Sequence, residues 1–287
     1  MKLLVAYLAT PGGEDAVAFG ACLARTFGAS LDIAVVIPPD PPETITSAAG
    51  FAEALDEAAR QWVAGAADLV PGDVVAETHV VVDEHVAHGL ITEIERVGAT
   101  MLVVGASGGG ITGRHSLGSV VNDLLHSSPV PVALAPRGFS HTGAERIREI
   151  TTAIGSRPGA EILLDTALAL SARGDLPLRL LSLVSRDDIT GRTTDDEAVA
   201  RAVDLANTSL ETAHKRLSDQ TPIASTLAQG RNVEEAVSSV EWHDGDMIMV
   251  GSSRLAAPGR LFLGATAAKM MSVLAVPLLV VPGPDRE

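Results

Sequence analysis

Short apolar runs alternate with longer amphipathic stretches along the whole chain. The apolar runs predict strands at residues 3–8, 31–37, 74–82, 101–104, 132–135, 150–154, 178–184, 224–227, 247–250 and 278–281. Helical periodicity predicts helices at residues 14–27, 48–69, 88–97, 119–126, 160–172, 195–217, 233–240 and 266–274. Continuous apolar runs of about four to eight residues are typical of strands covered by helices on both faces. The alternation therefore predicts an α/β fold with parallel sheets flanked by helices.

The same succession of elements occurs twice. Met-Leu-Val-Val-Gly at residues 101–105 leads into a glycine-rich loop and later into Pro-Val-Pro-Val-Ala-Leu-Ala-Pro at residues 129–136. Met-Ile-Met-Val-Gly at residues 247–251 leads into a similar loop and into Ala-Val-Pro-Leu-Leu-Val-Val-Pro at residues 275–282. The repeat is much longer than the roughly 20–50 residues of a solenoid unit and has the length of a domain.

We therefore predict two tandem copies of one fold, residues 1–138 and 147–287, joined by the polar stretch 137–148. A chain of 287 residues is long enough for two such domains. The net charge is −15 and no basic cluster occurs, which argues against binding to nucleic acid or to an anionic membrane. The single cysteine, Cys22, excludes a disulfide framework. No apolar run approaches the ~18 residues of a spanning helix, so we expect a cytoplasmic protein.

Glycines at fixed spacing follow the fourth predicted strand. Gly105, Gly108, Gly118 and Ser119 form a G-x-x-G-x9-G-S pattern. Gly105 ends a parallel strand at its carboxyl edge, where open α/β sheets bind ligands. Glycine lets the backbone approach an anion closely, and the N–H groups and dipole of a helix starting at Ser119 attract phosphate. A Ser hydroxyl at that place caps the helix or binds a phosphate oxygen.

This pattern, the strand order and the Pro-Val-x-x-x segments resemble the universal stress protein family in its tandem, two-domain form. The resemblance implies an open five-stranded parallel sheet of order 3-2-1-4-5 in each copy, Rossmann-like and similar to the adenine nucleotide alpha hydrolases. It also implies that some members bind ATP, with the outer glycines and Gly-Ser on the phosphates. Carried onto this chain, the nucleotide-binding residues are Val104, Gly105, Gly108, Gly118, Ser119 and Val120.

The chain departs from the family pattern at several positions. Members that bind ATP usually carry an Asp at the end of strand one, which reaches the nucleoside; Leu8 and Gly155 stand there in the two copies. The second copy also has Arg254 in place of the second glycine and Ala265 in place of the serine. Because a bulky cation can fill the phosphate cradle, we expect an ATP site in the N-terminal domain only.

Other chemistry is less well supported by the residues. His79, Asp83, Glu84, His85 and His88 cluster in sequence, but we interpret them as a strand, a loop and a helix start rather than a metal site. A hydrolase would need a nucleophile with an activating base, and no G-x-S-x-G elbow occurs. We expect no metal and no catalytic residues, because no general base for attack on a γ-phosphate is evident.

Three functions remain as hypotheses. The first is a stress-response regulatory protein with at most one adenine nucleotide site, in the N-terminal domain. The second is a scaffold that binds no nucleotide and acts through protein partners, and the third is a slow ATPase. The apolar edge strands at residues 132–135 and 278–281 are further predicted to pair and make the two copies an intramolecular pseudo-dimer, with a homodimer as an additional option.

Overall fold

The computed structural model describes residues 1–39, 48–106, 118–155, 160–187, 196–217, 222–252, 261 and 263–283. Within these residues the strands form one ten-stranded sheet. The strands are β1 (Lys2–Ala6), β2 (Ser30–Ile37), β3 (Ala76–Val82), β4 (Met101–Gly105), β5 (Val132–Ala135), β6 (Glu149–Ala153), β7 (Leu178–Ser185), β8 (Ile223–Gly230), β9 (Asp246–Gly251) and β10 (Leu278–Val281). All of them were predicted from the apolar runs, with boundaries that differ by a few residues.

Helices cover both faces of this sheet. They are α1 (Pro11–Phe27), α2 (Ala48–Asp68), α3 (Val86–Val97), α4 (Ser119–Ser127), α5 (Ala160–Gly174), α6 (Asp196–Leu217), α7 (Val233–Ser238) and α8 (Ala265–Val273). Buried side chains of α1, α2, α5 and α6 form a core on one face, and those of α3, α4, α7 and α8 form a core on the other. No helix among the described residues is both long and apolar enough to cross a bilayer.

Local capping explains why α1 begins and ends where it does. The Thr10 hydroxyl oxygen accepts a hydrogen bond from the Gly13 N–H at 3.3 Å, and Pro11 occupies the first helical position. Gly28 ends the helix in the left-handed region, with φ +60°, which glycine adopts without strain. Cys22 is buried in this helix, and burial raises the pKa of its thiol to about 12. Cys22 is therefore a core residue, as its apolar neighbours in the sequence predict.

The two copies are joined edge to edge. The strand order is β3-β2-β1-β4-β5-β10-β9-β6-β7-β8, so each half has the expected 3-2-1-4-5 order. The two five-stranded sheets are continuous, because β5 and β10 pair antiparallel, with Ala133 opposite Leu279. The predicted pairing of these two edge strands is confirmed. It removes two apolar edges that would otherwise be open to other chains.

The segment predicted as a plain polar linker is part of the folded structure. The buried carboxylate of Asp15 on α1 accepts hydrogen bonds at 2.8 Å from the N–H groups of Gly138 and Ser140 and from the Ser140 hydroxyl. Phe139 packs edge-on against Phe19, with 5.1 Å between the ring centroids. These contacts fix the connection between the halves against α1, because a buried carboxylate needs such donors.

We predict that residues 1–143, produced alone, associate into dimers or larger species. This fragment keeps the hydrogen bonds to Asp15 but exposes the apolar edge of β5, which pairs with β10 in the full chain. Light scattering at micromolar concentration, with the full-length chain as the reference, measures the mass. A fragment that stays monomeric and folded over this range would contradict the role given to the β5 edge.

Candidate functional site

The predicted phosphate-binding residues that the structure describes lie at the carboxyl edge of the first half. Gly105 is the last residue of β4 and pairs with Ala135 in the neighbouring strand. Gly118 is the N-cap of α4 and has extended backbone, with φ −74° and ψ 167°. Ser119, the first helical residue, is exposed. Within the described residues no side chain caps this helix, and the N–H groups of a first helical turn have no partner inside the helix.

The remaining predicted residues have different surroundings. The side chain of Val104 is buried in the core beneath α3 and α4, so it is not accessible to a ligand. Val120 is half-buried in the first turn of α4 and packs against the same core. Gly108 lies outside the described residues, as does Arg114.

Gly105 has a packing role that the sequence did not reveal. A Cβ atom on Gly105 would lie 1.7 Å from the carbonyl oxygen of Gly12, and a Cβ atom on Gly12 would lie 2.4 Å from the carbonyl oxygen of Ala106. The first turn of α1 therefore rests on the end of β4, backbone against backbone. Sequence reasoning assigned Gly105 to anion approach and missed Gly12. The repeated Pro-Gly pair, at residues 11–12 and 158–159, was the available signal.

The loop after β1 offers few polar groups. Leu8 stands at the position where an Asp was expected for a nucleoside contact, and its side chain is 54% exposed. The Thr10 hydroxyl is used as the cap of α1. The Tyr7 side chain is buried with its hydroxyl beside Gly65, and this burial, assisted by the negative charge of Glu14, raises the pKa of Tyr7.

The second half repeats the backbone geometry but not the chemistry. Gly264 is the N-cap of α8, with φ −73° and ψ 158°, close to the values at Gly118. The exposed first residue of the helix is Ala265, which lacks the hydroxyl of Ser119. Among the residues that the structure describes, an added Cβ atom at Gly251 would meet Leu163, at an ordinary 3.8 Å. Arg254 falls outside the described residues.

Sequence reasoning also missed a positively charged residue, Arg137, at the carboxyl edge of the first half. Arg137 is half-buried and lies two residues beyond Ala135, the last residue of β5 and the register partner of Gly105. The equivalent position after β10 is Gly283. Comparison of the two copies residue by residue would have identified this difference.

The histidines and acids that cluster in sequence separate in space. Asp83, in the turn before α3, accepts a hydrogen bond from the His85 N–H at 2.8 Å and pairs at 2.6 Å with His88 in the first turn of that helix. Those two contacts, the backbone N–H first, lower the pKa of Asp83. This group therefore stabilises the turn between β3 and α3.

His79 belongs to a different group. Its Nε2 atom lies 2.8 Å from the buried carboxylate of Asp32, and Arg96 lies 3.1 Å from its Nδ1 atom. Asp32, Glu77 and His79 offer ligand atoms within 4.8 Å of one another, which would suit a small cation. Lys2, however, lies 3.5 Å from Asp32. Because both ring nitrogens and the carboxylate have partners, we interpret the group as an ion-pair network.

We predict that Gly105→Ala destabilises the protein by about 3 kcal/mol, because a methyl group would displace the backbone of Gly12. Gly72→Ala, at a glycine whose added Cβ atom meets nothing within 4 Å among the described residues, is the control and should change the free energy of unfolding by less than about 0.5 kcal/mol. Urea denaturation of both variants measures the difference. Equal effects of the two substitutions would contradict the packing role of Gly105.

Comparison with known proteins agrees with this architecture. Universal stress proteins of Mycobacterium tuberculosis (strain H37Rv) and Mycobacterium bovis are each 26% identical over 301 residues, covering 99% of this chain and 100% of the relative. The crystal structure of a universal stress protein from Archaeoglobus fulgidus DSM 4304 has the same fold, with a TM-score of 0.69, 16% identity and 98% of each chain covered. The model of the Universal stress protein family matches residues 1–136 and again residues 146–282. The chain therefore belongs to the universal stress protein family and contains two copies of its fold.

Proposed function

We propose that this protein is a cytoplasmic stress-response regulator that holds at most one adenine nucleotide, ATP included, at the start of α4. The observation that carries the proposal is the difference between two otherwise equivalent helix starts. Gly118 and Gly264 have nearly the same backbone angles, but only the first is followed by an exposed hydroxyl, that of Ser119. A hydroxyl beside free N–H groups supplies an additional hydrogen bond to a phosphate oxygen.

Local groups must supply the attraction, since the net charge of −15 repels anions at long range. Arg137 adds a positive charge at the carboxyl edge of the first half, whereas the second half has Gly283 at that position. The Ser119 hydroxyl and the Arg137 charge, which the second half replaces with Ala265 and Gly283, both favour phosphate binding in the first half. The resemblance to family members that bind ATP agrees with this assignment.

Exchange of the capping glycine tests the site without disturbing the fold. We predict that Gly118→Asp abolishes nucleotide binding, because a carboxylate at the N-cap occupies the N–H groups and repels phosphate. The backbone of Gly118 is extended, a conformation that any residue adopts, and Asp is a preferred N-cap, so we expect the variant to fold, which circular dichroism and thermal melting verify. Calorimetric titration with ATP, ADP, AMP and cyclic AMP gives affinity and stoichiometry.

Gly264→Asp is the matched control and should leave binding unchanged, since its backbone is the same but its helix is in the other half. A stoichiometry of two per chain, or a loss of binding in the Gly264 variant, would show that the second half holds nucleotide and would overturn the proposal.

A scaffold that binds no nucleotide is the alternative. It is favoured by the exposed, apolar Leu8 and by the contact of Gly12 with Gly105 and Ala106, which reduces the space between β1 and β4. Titrations that show no heat change with any adenine nucleotide would support the scaffold.

We further propose that the protein is not an enzyme. N–H groups that hold phosphate stabilise the ground state as well as the transition state, and such uniform binding does not accelerate chemistry. Asp123, the acid nearest to the start of α4 in sequence, is exposed on the helix. We predict that equimolar ATP stays intact over minutes. Hydrolysis of ATP at about one turnover per second, lost in the Arg114→Ala variant, would instead establish an ATPase.

A further inference from the structure

We propose that the open edge of β3 is a docking site for an extended polypeptide segment in which basic and apolar residues alternate. The segment binds as an additional strand of the sheet. β3 is the terminal strand of the sheet on the side of the first half, so one side of its backbone faces away from the other strands. This surface is separate from the start of α4, and the inference does not depend on the proposed function.

The backbone of β3 presents a row of hydrogen-bonding groups to such a partner. The Val75 carbonyl oxygen accepts a hydrogen bond from the Leu31 N–H, and the Asp83 N–H donates one to the Ile37 carbonyl oxygen, both at 2.9 Å. The odd-numbered residues therefore direct their N–H and C=O groups to β2. Successive residues of a strand direct these groups to opposite sides, so the even-numbered residues between 76 and 82 direct theirs to the open edge.

Exposed apolar side chains are concentrated at the same edge. Eight large apolar side chains are exposed among the residues that the structure describes, and five of them belong to β3 or to the segments that precede and follow it. These five are Leu69, Val75, Val80, Val82 and Val86. The strand contains no lysine, arginine or proline, and it therefore lacks the residues that commonly keep an edge strand from pairing with another chain.

The opposite edge of the sheet has different side chains. In β8, the equivalent strand of the second half, the buried Ala228 takes the position of Val80. The exposed side chains of β8 are small or polar, namely Ala224, Ser225 and Gln229. Because the two edges have the same place in their halves, the apolar side chains distinguish β3 as the docking edge.

A groove lies beside β3 on the face that α2 covers. It has a volume of about 530 Å³ and is lined by residues 76–79 of β3 and by the end of α2 with the segment after it, including Val70 and Val74. Ala76 packs on the core of this face, and side chains alternate along a strand, so Val80 and Val82 lie on the same face. Every second side chain of a docked strand therefore meets an apolar surface.

The charges around the edge select a basic partner. Asp68, Glu77 and Glu84 are exposed in or beside β3. The guanidinium of Arg96, on the face of α3, is engaged by Glu93 through two hydrogen bonds at 2.6 and 2.7 Å. Glu77 lies on that face too, because it alternates with Ala76. The side chains of a docked strand that alternate with the apolar ones therefore meet a carboxylate.

The same charges argue against a second copy of this chain as the occupant. Pairing of two β3 edges would bring the carboxylates of both copies to one interface, between molecules that each carry a net charge of −15. A nucleic acid would be repelled in the same way. An extended polypeptide with basic residues at alternate positions is complementary both to the open backbone groups and to the carboxylates.

Peptide binding tests the docking edge. The probe is a fluorescently labelled peptide, Lys-Val-Lys-Val-Lys-Val-Lys, and fluorescence anisotropy at fixed ionic strength measures its affinity for the full-length protein. The same peptide with N-methyl groups on its three central residues keeps its charge but loses the N–H donors of a strand. We expect it to bind at least about tenfold more weakly.

Val80→Lys tests the strand itself. The added charge repels a basic peptide and an apolar contact is lost, so the affinity should fall by at least about tenfold. Val80 is 44% exposed and lysine is common on edge strands, so we expect the variant to fold, which circular dichroism and thermal melting verify. Ala224→Lys is the matched control: it adds the same charge to an exposed residue of β8 and should leave the affinity within about twofold.

Several results would overturn the inference. Equal affinities for the two peptides would mean that only the charges attract them, and an equal loss in Ala224→Lys would show that the peptide does not bind at β3. Absence of binding to the unmodified protein would show that the edge accepts no such strand. A dimer of the free protein, detected by light scattering and lost in Val80→Lys, would identify a second copy of the chain as the occupant instead.

Discussion

The antiparallel pairing of β5 with β10 determines the organisation of the whole molecule. Three register pairs, centred on Ala133 and Leu279, convert two five-stranded sheets into one. Side chains extend the interface beyond the strands. The Arg173 guanidinium on α5 donates hydrogen bonds to the carbonyl oxygens of Phe27 and Gly28 at the end of α1. A cation interacts favourably with the negative end of a helix dipole. Arg173 of the second half therefore stabilises the C-terminus of α1 in the first half.

The two copies keep a charge pair between their first two strands, but they differ at the exposed first residue of α4 and α8. Lys2 and Asp32 form an ion pair at 3.5 Å between β1 and β2, whereas Glu149 and Arg179 form one at 3.1 Å between β6 and β7. The signs of the charges are exchanged, yet the pairing is kept, because a buried charge without a partner is strongly unfavourable. The loss of a hydroxyl at Ala265 leaves no such penalty, since the residue is exposed. Burial thus preserves the charge pair, while an exposed position such as that of Ala265 changes without this penalty.

The same distinction explains what could be predicted from the sequence. The strands and helices follow from apolar periodicity, a local property, and the start of α4 at Gly118 and Ser119 follows from a local motif. The hydrogen bonds of Asp15 to Gly138 and Ser140 join residues more than 120 positions apart, and no local pattern indicates them. The partnership of His79 with Asp32 was missed for the same reason, since β2 and β3 are brought together only by the sheet.

The direction of the strands keeps the two potential sites apart. All strands within a half are parallel, but the halves meet in an antiparallel pair, so the carboxyl edge of the first half lies beside the amino edge of the second. The starts of α4 and α8 are consequently at opposite edges of the sheet. At the edge shared with α4, the second half presents Asp246, whose carboxylate is neutralised by Arg148 at 2.7 Å. This buried carboxylate therefore leaves no uncompensated charge on the amino edge of the second half.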